Sequence, residues 1–229
     1  MEAIFDYRQL LLDGTLVTIR LAIVSAMLAV VLGLIGAWAK LSKSRAAQTA
    51  AGAYTTLIRG VPDLVLMLLI FYGGQTVLNN IGDTTGLWGY VEISQFTAGV
   101  GTIGFIFGAY YTETFRGAIL AIPVGQIEAA KAYGMMPWQI FTRVIWPQMV
   151  RYALPGFTNN WLVQLKSTAL VSVIGIQDLV YNAFGAGRSV RQLFTFMFAV
   201  LVIYLIMTAV SDAFLRWIDR KYSAGVREA

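Results

Sequence analysis

Charged and amide side chains interrupt stretches of this sequence that are otherwise almost wholly apolar, and their spacing limits what they can do. Arg59-Gly60-Val61-Pro62-Asp63 sets opposite charges four apart, and Glu113-Thr114-Phe115-Arg116 sets them three apart. On an unbroken helix either spacing puts the two charges on one face. A third stretch carries Asn159, Asn160, Gln164, Lys166, Ser167 and Thr168 within a single run. Cysteine and histidine are absent, which removes disulfides, zinc sites, thiol nucleophiles, imidazole bases and Ser-His-Asp triads together. What these groups can still do is neutralise one another, bond helix to helix, or line a path for a polar solute.

The elements that must hold them are membrane helices. The 229 residues are 58% hydrophobic and 13% charged, with a mean hydropathy of +0.67, far above the apolar share of a soluble domain. The excess lies in runs long enough to cross a bilayer. Five spans are expected, at about 14–38, 54–78, 96–120, 153–176 and 194–215. Residues 1–13 read as a short leading segment, 14–216 as the membrane domain and 217–229 as a tail. Glu2, Asp6 and Arg8 precede the first run, unlike the basic start of a cleavable signal peptide. The net charge of +5 is spread beside the apolar runs, so it marks membrane orientation and not a nucleic-acid partner.

Basic residues gather after the first, third and fifth spans: Lys40, Lys43 and Arg45; then Lys131, Arg143 and Arg151; then Arg216, Arg220, Lys221 and Arg227. The positive-inside rule makes those ends cytoplasmic, with the N-terminus periplasmic and the C-terminus cytoplasmic. Residues 79–94 agree, carrying Asp83 and Glu92 with no Lys or Arg; Arg188 and Arg191 weigh weakly against.

Polar groups inside the spans need partners. A lysine such as Lys166 facing lipid costs about 2.5–3.5 kcal/mol on insertion scales, and Asn159, Asn160 and Gln164 add to this. The fourth span therefore faces other helices or an aqueous path, and both readings stand for each residue. Gly60 and Pro62 loosen the second span, which is tolerated beside protein or a water-filled cavity. The pairs Arg59–Asp63 and Glu113–Arg116 serve either as neutralising pairs near an interface or as part of that path.

Between the third and fourth spans lies the one long polar-and-small stretch, Pro123 to Gly134, followed by Met136-Pro137-Trp138 and Val144-Ile145-Trp146-Pro147. The residues predict a helix over 126–133, a stop at Gly134 in the left-handed region, and a second helix with Pro137 in its first turn. Glu128 and Lys131 are three apart on the first piece. Pro147 is expected to end or kink the second. This helix–elbow–helix knob falls on the cytoplasmic side and suits a partner's groove.

The order Gly125, Glu128-Ala129-Ala130, Gly134, Ile145 and Pro147 resembles the EAA motif of membrane subunits of ABC importers. Arg59-Gly60-x-Pro62, Glu113-x-x-Arg116-Gly117, Pro155-Gly156-x-x-Asn159 and Lys166-Ser167-Thr168-Ala169-Leu170 extend the resemblance over nearly the whole chain, to permeases of the polar amino acid (histidine/lysine/arginine/ornithine) type, Q-type subunit. Ala169 departs from the serine common there. The resemblance implies an all-α membrane protein, a type I ABC importer transmembrane domain of about five transmembrane helices with a cytoplasmic EAA coupling helix, in a bacterial inner membrane. It implies import of basic L-amino acids and a heterodimer with an M-type permease. It also implies two ATPase subunits that bind ATP and Mg, and a periplasmic amino acid-binding protein. No Gly-x-x-x-x-Gly-Lys-Ser/Thr sequence occurs here, so this chain must borrow hydrolysis, and no cofactor of its own is expected. A stand-alone secondary transporter would need repeats and ion sites within one chain, and five unrepeated spans supply no repeats. An intramembrane enzyme is left only aspartyl or serine–lysine chemistry.

Overall fold

The computed structural model describes residues 2–223, so Arg227 lies outside the described residues. A short helix α1 (Glu2–Asp6) leads into the long α2 (Arg8–Leu41), and α3 (Arg45–Gly60) follows. Next come α4 (Asp63–Leu68), a wide π turn (Leu69–Gly73) and α5 (Gly74–Thr85), which together form one span, Asp63–Thr85. The central α6 (Gln95–Leu120) precedes the short pair α7 (Val124–Ala132) and α8 (Pro137–Ile140). A second π turn (Phe141–Ile145) runs into α9 (Trp146–Ser167) and a 3₁₀ stretch (Thr168–Ile174), before α10 (Leu179–Ser189) and α11 (Leu193–Ser223).

The second span starts later than its sequence predicts. A proline biases the residue before it toward extended backbone; Val61 obeys (φ −116°, ψ 142°) and α3 ends at Gly60. Residues 54–60 belong to α3, and the span begins at Asp63. Ser44 caps the start of α3 by accepting from the Ala47 N–H.

Pro147 does not end its helix. The π turn at Phe141–Ile145 comes just before it and absorbs the missing backbone donor, so the helix continues from Pro137 to Ile174. The stretch expected as a plain connection before the last span is itself helical. α10 is bent by 54° from the preceding rod, and the two are long and apolar enough for a span only when taken together.

Three helices are long and apolar enough to cross a membrane outright: α2, the Asp63–Thr85 span and α11; the bent pair, counted as one span, makes a fourth. The fifth is α6, which carries Glu113 and Arg116 and is rich in Gly, Thr and Tyr. It tolerates that polarity because it stands at the centre of the bundle, where protein and not lipid surrounds it. Phe107, Ile103, Ile106 and Tyr111 are its largest fully buried side chains.

The α2–α6 seam is built on small residues. A Cβ at Gly33 would lie 2.5 Å from the Tyr111 Cβ, and one at Gly108 would lie 2.9 Å from the Leu32 Cβ. Small residues let membrane helices approach closely where no hydrophobic drive separates helix from lipid. At the other end of α2, Leu11 packs with Leu179, Ala183, Ala186 and Phe196 in a second cluster that fastens α10 and α11 to the start of the chain.

Candidate functional site

The knob between α6 and α9 is held by local bonds that its residues dictate. Gly134 has φ +75°. Its N–H donates to the Lys131 carbonyl and that of Met135 to the Ala130 carbonyl, 2.9 and 3.1 Å. This is the paired closure of a Schellman stop, which needs a residue at ease in the left-handed region. Pro137 occupies the first turn of α8, and the Met136 N–H donates to the Gln139 side chain at 2.9 Å. Gln148 of α9 donates to the Gln126 side-chain oxygen at 2.6 Å, tying α7 to the rod.

Of the motif residues, only Ala130 is buried under the knob, beside the non-motif Ile140, while Gly125, Glu128, Ala129, Gly134 and Pro147 are exposed and Ile145 is half-buried. A Cβ at Gly125 would meet open space. The first helix starts at Val124, two residues earlier than its sequence predicts. Glu128 and Lys131 form no ion pair within 4 Å. The outer surface carries large groups that the motif does not name: Tyr133 is 88% exposed, Trp138 71%, and Val124 and Met136 66% each. Bulky aromatic side chains standing free beside a rigid elbow suit burial in a partner. Their exposure is a tertiary fact; only their position beside Gly134 and Pro137 signals it in the sequence.

The polar residues of α9 and the first residue of the 3₁₀ stretch after it divide by face. Asn160, Gln164 and Thr168 recur at fours and point inward. Asn160 donates to the Thr114 hydroxyl (2.9 Å), Gln164 donates to the Ser25 hydroxyl (3.0 Å), and Thr168 meets the Tyr204 hydroxyl (3.2 Å). These three bond helix to helix. Asn159 and Lys166 lie on the opposite, exposed face, one heptad apart, and Ser167 is half-buried.

Glu113 pairs with Arg116 as the spacing predicts, at 2.9 Å. Its other oxygen accepts from Lys40 of α2, and Lys40 also donates to the Thr55 hydroxyl of α3 at 2.6 Å. Lys40, legible in the sequence only as a mark of orientation, thus joins three helices. Arg59 and Asp63 do not pair. The break at Val61–Pro62 cancels the helical arithmetic, and the Arg59 guanidinium lies instead over the Tyr110 ring, 5.4 Å from its centroid. Among the described residues neither Arg59 nor Asp63 has an ionic partner. Arg59, Lys40, Glu113 and Tyr110 line one polar cavity of about 500 Å³ with Thr55, Thr56 and Gly60; Asp63 stands outside that lining.

Comparison with known proteins bears on this arrangement. Residues 29–224 match the family described as "Binding-protein-dependent transport system inner membrane component". The chain is 52% identical over 226 residues to the histidine/lysine/arginine/ornithine transport system permease protein HisQ of Escherichia coli (strain K12), covering 99% of each. It is 40% identical to the octopine transport system permease protein OccQ of Rhizobium radiobacter, over 95% of this chain and 92% of that one. Among solved structures, one described as an amino acid ABC transporter with histidines superposes with a TM-score of 0.80 at 31% identity, covering 95% of this chain and 96% of that chain. The chain belongs to the family of binding-protein-dependent transport system inner membrane components, with the fold of a type I ABC importer transmembrane domain, and is the permease subunit of such an importer.

Proposed function

We propose that this permease imports basic L-amino acids (histidine, lysine, arginine and ornithine) as one half of a heterodimer with an M-type subunit. Two ATPase subunits holding ATP and Mg drive it, and a periplasmic amino acid-binding protein supplies the substrate. The N-terminus is periplasmic and the C-terminus cytoplasmic in a bacterial inner membrane. Residues 14–216 form the membrane domain between a periplasmic segment (1–13) and a cytoplasmic tail (217–229).

The observation that carries the reading is the knob: a rigid Gly134 elbow presenting Tyr133, Met136 and Trp138 to solvent. Glu128, Ala129, Ala130 and Gly125 shape it, and Ile145 and Pro147 join it to the rod, so that an ATPase gripping it pulls on α9. Full-length similarity to a permease whose name specifies basic amino acids supports the substrate class. The exposed face of Asn159 and Lys166, with Ser167 at its edge, and the cavity group of Arg59 and Glu113, with Asp63 beyond the helix break, form the path. Asn160, Gln164 and Thr168 brace the wall behind it.

The test is purification through a tag on this chain, followed by uptake in cells lacking it. An ATPase and a second permease should co-purify, and uptake of lysine, arginine, ornithine and histidine should fall while neutral amino acids enter as before. A chain that purifies alone, yet supports uptake in vesicles without ATP, would return the secondary-transporter reading.

A further inference from the structure

We infer that the cavity between α2, α3 and α6 binds the carboxylate of an amino acid, with Arg59 as the group that takes it. The inference rests on the importer reading and names which part of the substrate this site recognises.

The charges decide the sign. Three ionic groups line the cavity: Lys40 and Arg59 carry positive charge and Glu113 negative. Glu113 is already engaged twice, one oxygen accepting from Lys40 and the other from Arg116. Lys40 is spent in the same way on Glu113 and Thr55. Arg59 alone has no carboxylate within 4 Å among the described residues, Asp63 standing farther off and outside the lining. The cavity therefore favours an anionic group and repels a free cation.

The geometry narrows the anion. The guanidinium lies over the Tyr110 ring, 5.4 Å from the centroid. An aromatic face steadies the plane of an arginine and leaves its N–H fork available. A planar fork matches a carboxylate through two parallel hydrogen bonds. Gly60 lines the same cavity and ends α3. The last-turn carbonyls of α3 have no helical N–H following them, and the ammonium of a zwitterion is the partner such a helix end suits. A volume of about 500 Å³ admits an amino acid with its water.

A site of this kind reads what all amino acids share. A cationic side chain gains nothing beside Lys40 and Arg59, so Arg59 does not select basic substrates; it handles the backbone end of whatever the pathway delivers.

The experiment uses the assembled transporter purified without its binding protein, titrated calorimetrically with L-lysine and with cadaverine, the decarboxylated amine of the same side chain. Lysine should bind about ten- to a hundredfold tighter, the range of a charge-assisted hydrogen bond. Arg59→Gln should erase that difference, and Arg59→Lys should keep part of it. Equal affinities in the wild type overturn the inference, as does an unchanged preference in an intact Arg59→Gln complex. If Arg59 instead answers a carboxylate on a second subunit, Arg59→Gln loosens the complex while assembled Arg59→Lys keeps the full wild-type preference, which also overturns it. A lysine preference that vanishes in phosphatidylglycerol nanodiscs yet persists in phosphatidylcholine ones assigns the site to lipid phosphate and overturns it too. Co-purification of the ATPase is scored separately, so the importer reading stands or falls on its own.

Discussion

Lys40 on α2 and Glu113 on α6 close an ion pair near the C-terminal end of α2, and Thr55 of α3 accepts from the same ammonium. Both charged side chains are mostly shielded, at 16% and 20% exposure. The pair sits one turn from where the Gly33–Gly36 face of α2 meets Tyr111 and Thr112, so it locks the register of the α2–α6 seam at its charged end.

Glu113→Gln should therefore destabilise the subunit by about 2 kcal/mol, the scale of a lost charge-assisted hydrogen bond, because Lys40 is left without a carboxylate. Lys40→Met should cost less, since Arg116 still answers Glu113. Thermal unfolding in detergent measures both; equal midpoints for Glu113→Gln and wild type would contradict the lock.

Gly134→Val should leave membrane insertion intact and weaken ATPase binding. At φ +75° a β-branched side chain is strained by about 1–2 kcal/mol or more, and the Schellman closure that aims α7 against α8 is disturbed. Gly134→Asn should be milder, since asparagine tolerates this region. Wild-type amounts of ATPase retained on the valine variant would refute the role of the elbow.

Gln164 and Ser25 are fully buried and bonded to each other. Ser25→Ala should lower stability by about 1 kcal/mol, typical of an interhelical hydrogen bond in a membrane, and reduce uptake of every substrate in proportion to surviving protein. A change in the ratio of lysine to histidine uptake would instead put Gln164 on the path.

Asp63 has no partner in Arg59, so removing its charge leaves nothing for a second substitution to repair. Asp63→Asn should slow lysine and arginine uptake more than histidine uptake, because histidine is largely neutral at pH 7. Arg59→Gln added to it should bring no recovery. Proteoliposome uptake with the three amino acids is the measurement; equal losses followed by recovery in the double variant would restore the paired reading.

Orientation is tested with reporters. One inserted near Gly86, the left-handed cap that ends α5, should read periplasmic, and one fused at the C-terminus should read cytoplasmic. Reversal at both would turn the knob away from ATP.

Much of this was legible in the residues, for reasons that differ by position. The bounds of α6 lie within one residue of the apolar run at 96–120, because Ser94 and the Ile122-Pro123 step punctuate it locally. Gly134 and Pro137 were legible because a left-handed stop and a first-turn proline are properties of single residues. Arg59 and Asp63 were misread because four-apart spacing assumes an unbroken helix, although the bias of Val61 before Pro62 was already written there. That the helix runs on past Pro147 was not legible, because a π turn upstream has no sequence signature of its own. The Lys40–Glu113 contact joins residues 73 apart, and no local rule reaches that far. The inward face of Asn160, Gln164 and Thr168 follows a helical period, but which face turns inward was settled only by the neighbours.

The unbroken helix through Pro147 makes the knob one end of a lever. From Pro137 to Ile174 the rod is roughly 57 Å long at 1.5 Å per residue, and the Gln126–Gln148 bond clamps α7 to its near end. Under the proposed docking, a tilt of about 5° imposed by an ATPase on that handle would sweep the far tip sideways by about 5 Å, about the rise of one helical turn. The tip is where the 54° bend turns into α10, so a small rotation at the motor would reach α10 as a full step.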